Sequence, residues 1–151
     1  MAGSLVNRIL ALDLGKKRIG LAVSDELGLT AQGLVTLERK NKRVDLAAIA
    51  QLANAKGVTL ILLGNPLHMS GHEGRQSEWV RDFAGALAVH TGIPVKLWDE
   101  RLTTVEASRV LRQSGIGIEK RAAAVDRLAA VILLQSYLDA RHFAGRGNDR
   151  S

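Results

Sequence analysis

Apolar residues in this chain fall into short runs and helical stripes separated by polar turns. Ile9 to Leu12 is an unbroken apolar run, the pattern of a buried strand. A basic turn that opens on glycine, Gly15-Lys16-Lys17-Arg18, comes next. A second apolar run, Ile19 to Val23, then returns, so the stretch predicts a β-hairpin. A third short strand is expected around Gly33 to Leu37, after a turn at Gly28, and Glu38 to Arg43 reads as a charged connection.

Helical periodicity begins at Asp45. Leu46, Ile49, Ala50 and Ala53 share one face, and Gly57 stops the helix after Lys56. Thr59 to Leu63 is β-rich and apolar, a buried strand, and the loop Asn65 to Gly74 is polar. Arg75 to His90 predicts a second helix, with Trp79, Phe83 and Leu87 repeating every four residues and packing inward. Val95 to Trp98 predicts the next strand, followed directly by Asp99-Glu100-Arg101. Thr103 and Glu106 have the spacing of a capping box for a helix to about Gln113. The last and longest helix is expected over about Lys120 to His142.

The order is βββ-α-β-α-β-α-α. Strands joined by tight turns pair antiparallel, and strands separated by helices pair parallel. The expected fold is therefore α/β: a mixed five-stranded sheet, three antiparallel strands and then parallel ones, with helices on both faces. No repeat or linker divides residues 1–151, so one domain is expected, with frayed ends at 1–7 and 144–151.

Composition narrows the classes. The chain is 46% apolar, 24% charged and 3% aromatic, which is globular, with a core of Leu, Val, Ile and Ala. Cysteine is absent, which excludes disulfides and thiolate metal sites. No apolar run reaches the roughly 20 residues of a membrane span, and Asp13 and Lys16 interrupt the N-terminal apolar segment, so a cytoplasmic protein is expected. The net charge of +6 suits a polyanionic partner such as nucleic acid, although a basic surface also serves solubility.

Three acids stand out against that background. Asp13 falls at the centre of the first strand, where an unpaired carboxylate would be costly. Glu100 follows the last strand at its C-terminal end. Asp126 shares a helical stripe with Ala130, Leu133 and Tyr137, so it is expected to face the sheet. As a lone feature, Asp126 reads equally well as an acid near a helix N-terminus. Ligands of open α/β sheets gather beyond the carboxyl ends of the parallel strands. Three acids converging there would repel one another, and Mg²⁺ or Mn²⁺ would resolve the repulsion. Such ions hydrolyse phosphodiesters. Lys16, Lys17, Arg18 and Arg101 stand close by in sequence and could hold a phosphate backbone, or simply be a solvated turn and a partner for Asp99. His68 and His72 lie in a Gly/Pro-rich loop and read as surface, not as a zinc site.

The segments Asp13-Leu-Gly-Lys-Lys-Arg-Ile-Gly-Leu-Ala-Val-Ser-Asp25, Gly64-Asn-Pro-Leu-His-Met-Ser-Gly71, Asp99-Glu-Arg-Leu-Thr-Thr-Val-Glu-Ala107 and Val125-Asp126 occur in that order. Together with Ala-Ala-Val-Ile-Leu-Leu-Gln-Ser-Tyr-Leu-Asp139, they resemble the bacterial YqgF/RuvX family over almost the whole chain. The resemblance implies a ribonuclease H-like fold and a metal-dependent nuclease that matures the 5′ end of pre-16S ribosomal RNA. The family's acidic positions match Asp13, Glu100 and Asp126. Asn65 departs from the Leu or Met that the family usually has between Gly and Pro.

Three other readings are weighed. A Holliday junction resolvase would use the same chemistry on DNA and needs a symmetric dimer, so the expected assembly is a monomer or homodimer. A non-catalytic module would bind nucleic acid in a salt-sensitive way without cutting it. An ATPase or sugar-kinase-like phosphate binder shares the Asp-Leu-Gly hairpin but clamps its nucleotide between two domains, and this chain has room for one.

Overall fold

The hairpin is the centre of the sheet. The computed structural model describes residues 8–15, 17–65, 75–99 and 128–141. In it β1 (Arg8–Leu14) pairs antiparallel with β2 (Arg18–Ser24), from Leu10 opposite Val23 to Leu14 opposite Ile19. On its other side β1 pairs parallel with β5 (Val58–Asn65), which pairs parallel with β6 (Val95–Asp99). The order across the sheet is β3-β2-β1-β5-β6. β1 is thus the seam between an antiparallel and a parallel half, as the lengths of the connections require.

The third strand is two pieces. β3 (Ala31–Gly33) lies against Ala22 to Ser24, and β4 (Leu37–Glu38) lies against Arg18 and Ile19. Leu34 still donates to the Leu21 carbonyl at 2.8 Å, so the chain leaves β2 only at residues 35 and 36. The sheet accordingly counts six strands where the periodicity suggests five.

Side chains alternate between the two faces of a strand. Leu10, Leu12 and Leu14 pack with Ile61 and Leu63 beneath α1 (Lys42–Lys56) and α2 (Arg75–Thr91). Ile9, Ala11 and Leu62 face the opposite way, against α3, the helix through residues 128–141. The stripe expected on α3 is observed: Ala130, Leu133 and Tyr137 are all buried in that second cluster. Each fully buried aliphatic side chain contributes about 1.5–3 kcal/mol. Both faces of β1 are covered, which fits its near-continuous apolar sequence.

Local signals set the ends of the helices. α1 starts at its cap, three residues before the apolar stripe suggests, because the Asn41 side chain accepts from the Val44 amide at 2.9 Å. It stops at Gly57, whose φ of 66° only glycine adopts cheaply and whose amide bonds back to Ala53. In α2, Phe83 and Leu87 are buried as expected, but Trp79 is 37% exposed. Thr91 closes α2 by donating to the Leu87 carbonyl at 2.8 Å and accepting from the Ile93 amide at 3.0 Å.

Two polar details hold the far end of the hairpin. The buried Ser24 hydroxyl accepts from the Ile9 amide at 2.8 Å, beside the register shift between Arg8 and Ile9. Asp25 folds the following turn by accepting from the Leu29 and Thr30 amides at 2.7 and 3.3 Å. Those amides, Leu29 first, hold its carboxyl below the ordinary 3.8 against a smaller opposing effect of desolvation. Among the described residues no helix is long and apolar enough to cross a membrane.

Candidate active site

Asp13 continues the β1 series that faces α3, two residues beyond Ala11. It is half-buried and is the penultimate residue of the strand, not its centre. The strand extends back to Arg8 and ends where Gly15 turns, which shifts the acid to the C-terminal rim. A carboxylate there keeps part of its hydration, so its desolvation cost is lower than mid-strand.

The three parallel strands end at that same rim. Leu12 stands opposite Leu63, and Leu63 opposite Leu97. One step further lie Asp13, Gly64 and Trp98, with Gly64 opposite Trp98. Neighbouring strands are roughly 4.8 Å apart, so two spacings, about 10 Å, separate Asp13 from Trp98. Gly64 continues the α3-facing series of Leu62 and contributes no side chain of its own between them. Trp98 is fixed from α3: its ring meets Tyr137 edge-on at 5.1 Å, and its indole N–H donates to Ser136 Oγ at 3.4 Å. Lys96, one α3-facing position earlier, places its ammonium 5.2 Å from the Tyr137 ring centre. This is the edge of the sheet, at the carboxyl ends of its parallel strands, where open α/β sheets gather ligands.

Gly15 follows β1 at this rim, and Arg18 opens β2. The Gly15 amide donates to the Arg18 carbonyl at 2.9 Å, and a Cβ on Gly15 would lie 2.7 Å from that same oxygen. No larger residue fits without moving the turn. Lys17 is exposed and Arg18 is half-buried.

Arg39 anchors the turn from outside. Its amide donates to the Lys17 carbonyl at 2.8 Å, and its Nη1 donates to the Gly15 carbonyl at 3.0 Å. Its Nε lies 3.5 Å from Asp45 Oδ2, and its guanidinium lies 4.3 Å from the Trp79 ring centre. Asp45 is 2% exposed and also accepts from the Lys40 amide at 3.1 Å. The sequence reading passes over this node. A signal was present: Asp45 precedes the buried Ile49 by four residues, the same argument that turns Asp126 inward.

Glu100, Asp126, Lys16 and Arg101 lie outside the described residues, as do His68 and His72. Asp13 is therefore the one acid of the trio that the described structure positions. Among the described residues no group of three or more His, Asp or Glu is placed to hold a metal ion.

Comparison with known proteins follows the same lines. A sequence model described as RuvX, Holliday junction resolvase, matches residues 7–140. A protein of Koribacter versatilis (strain Ellin345) named "Putative pre-16S rRNA nuclease" is 54% identical over 134 residues, 89% of this chain and 88% of its own. One of the same name from Syntrophus aciditrophicus (strain SB) is 54% identical over 133 residues, 88% of this chain and 89% of its own. Among solved structures, Thermus thermophilus RuvC in complex with Holliday junction substrate superposes with a TM-score of 0.56 at 14% identity, over 90% of this chain and 96% of that one. The fowlpox virus resolvase in its complex with Holliday junction DNA gives 0.54 at 15% identity, over 88% and 97%. At such identities the likeness concerns the fold, and the sheet described above is the ribonuclease H-like one that the sequence resemblance implies.

Proposed function

The chain belongs to the RuvX family, and from that premise we propose that it is a metal-dependent endonuclease acting on ribosomal precursor RNA at the 5′ end of 16S. The observation that carries the reading is the place of Asp13: half-buried on the α3-covered face, at the rim where three parallel strands end, one strand over from Gly64. Glu100 is two positions past Trp98, the spacing that repeats a strand face. Asp126 is four positions before the buried Ala130, the spacing that repeats a helix face. Both spacings support convergence with Asp13.

Carboxylate oxygens are the donors that Mg²⁺ and Mn²⁺ take, and an acid at a half-hydrated rim suits ions that keep several waters. Asp13, Glu100 and Asp126 would hold the ion. When bound, it supplies an activated water and stabilises the leaving oxygen. Lys16, Lys17, Arg18 and Arg101 orient the strand through its phosphates, leaving base identity unread. The α3 cover and the Trp98–Tyr137 pair shield one side of the rim from bulk water. The work belongs in the cytoplasm, where ribosomal precursors are made, and the unit is one nuclease domain.

The test is hydrolysis of a ribosomal precursor RNA with Mg²⁺, comparing the wild type with Asp13→Asn. The substitution is expected to lower cutting at least a hundredfold with the fold intact. Equal cutting by both proteins removes the assignment. A second reading has its own support, because the matching family model carries the description Holliday junction resolvase. Four-way DNA offered beside precursor RNA separates the two, since a resolvase cuts the junction symmetrically as a dimer.

A further inference from the structure

A second group of cations shares the rim with Asp13. α1 ends just before Val58, which stands opposite Arg8 at the start of β1. The helix therefore runs back along the sheet, and its first turn lies at the end where β1 stops. The segment leading into it is Arg39-Lys40-Asn41-Lys42-Arg43, read from sequence only as a charged connection. Arg39 ties this segment to the hairpin turn twice, through the Lys17 and Gly15 carbonyls. Gly15 is two residues from Asp13.

We propose that Lys40, Lys42 and Arg43, together with Lys17, form a phosphate-binding ledge for the RNA strand that continues beyond the cleaved bond. The inference rests on the nuclease reading above and extends it to the substrate's flank. All four cations are exposed, while Arg39 is turned inward and serves as the anchor. The acid that follows the segment in the first turn of α1, Asp45, is buried against Arg39 and does not offset the surface charge. The other acid nearby, Glu38, stands opposite Arg18 in the β2–β4 pairing. The first amides of α1 add positive potential at the same place.

The ledge is also fixed in shape. The Asn41 cap, the Arg39–Asp45 pair and the Trp79 ring hold its backbone. It lies on the α1 side of the sheet, whereas Asp13 faces α3. A strand cut at Asp13 would cross the turn at Gly15 and reach the ledge a few nucleotides away. Lys and Arg at such a place neutralise phosphates without reading sequence.

The experiment is binding of a single-stranded RNA oligonucleotide in metal-free buffer across a range of salt. The Lys42→Ala/Arg43→Ala double variant is compared with Lys56→Ala/Arg141→Ala, which removes the same charge from the last turn of α1 and from α3. The first pair is expected to weaken binding about tenfold and to flatten the slope of log affinity against log salt by about 1, since each phosphate contact on a single strand contributes about 0.7. The second pair is expected to change affinity less than twofold. Cutting by the first pair should suffer in KM, with kcat within twofold of wild type.

Equal weakening by both pairs, or an unchanged slope for the first, overturns the ledge. So does a loss confined to a DNA strand of the same sequence. Binding is read without metal and without turnover, so an inactive wild type would count against the nuclease reading while the ledge is still decided by its own slope.

Discussion

Arg39 reaches across from the β4–α1 connection to hold the Gly15 carbonyl, 3.0 Å from its Nη1, while its Nε faces the buried Asp45 at 3.5 Å. The turn after the candidate catalytic strand is thus braced by a cation from a segment some twenty residues later. Removing that cation strands Asp45, which is 2% exposed, without its charge partner. Arg39→Ala is expected to cost about 2 kcal/mol, less than the roughly 3–5 kcal/mol for breaking a fully buried pair, because Arg39 keeps 17% exposure. Arg39→Met combined with Asp45→Leu should recover most of that loss, as apolar replacements of buried pairs do. Urea unfolding of the three proteins measures both effects.

That brace shows where reading the chain alone stops. The hairpin, the parallel strands and the stripe Ala130, Leu133 and Tyr137 were legible because apolar periodicity is a local property. Charge suited a polyanionic partner but also a solubilising surface, and did not choose between them. The place of Asp13 along β1 was not, because strand ends depend on where pairing stops, and here Gly15 stops it. Trp79 fits the buried stripe of α2 by spacing, yet its ring lies at the surface with Arg39 over it. The split of the third strand escapes for the same reason: nothing local to residues 35 and 36 says that β2 has lost its partner there.

Ser24 fills a gap in the ladder. Its hydroxyl is the acceptor for the Ile9 amide at the point where β1 shifts register against β5. Ser24→Ala leaves a buried amide unpaired, at a cost of about 1–2 kcal/mol. The urea midpoint should fall with the slope unchanged, since the surface exposed on unfolding stays the same.

Asp25 gives the hairpin end a pH dependence. Its carboxyl is held below 3.8 chiefly by the Leu29 amide. A group with a lowered folded value stabilises the fold above its unfolded value and loses that contribution as pH falls through the folded one. The stability gap between wild type and Asp25→Ala should be constant from neutral pH down to about 4 and close below it. Thermal melts of both proteins across that range check the sign. A gap that widens in acid contradicts the assignment.

Gly64 is the position where the rim geometry can be tested apart from charge. It stands opposite Trp98, one step past Leu63 and its partner Leu12, in the series that faces α3. A methyl group there would project from the α3-facing side of β5, between the positions of Asp13 and Trp98. Gly64→Ala is expected to fold, since alanine is tolerated in a strand, and, on the proposed nuclease reading, to lower kcat about tenfold by crowding the rim beside Asp13. Gly85→Ala is the matched control. Gly85 lies in α2 with nothing within 4 Å of an added Cβ, so the change should stabilise by about 0.5–1 kcal/mol and leave cutting unaltered. Circular dichroism and single-turnover cutting on both variants decide the matter. If Gly64→Ala cuts like wild type, the space beside Asp13 is not where the scissile phosphate sits, and the acid needs another role.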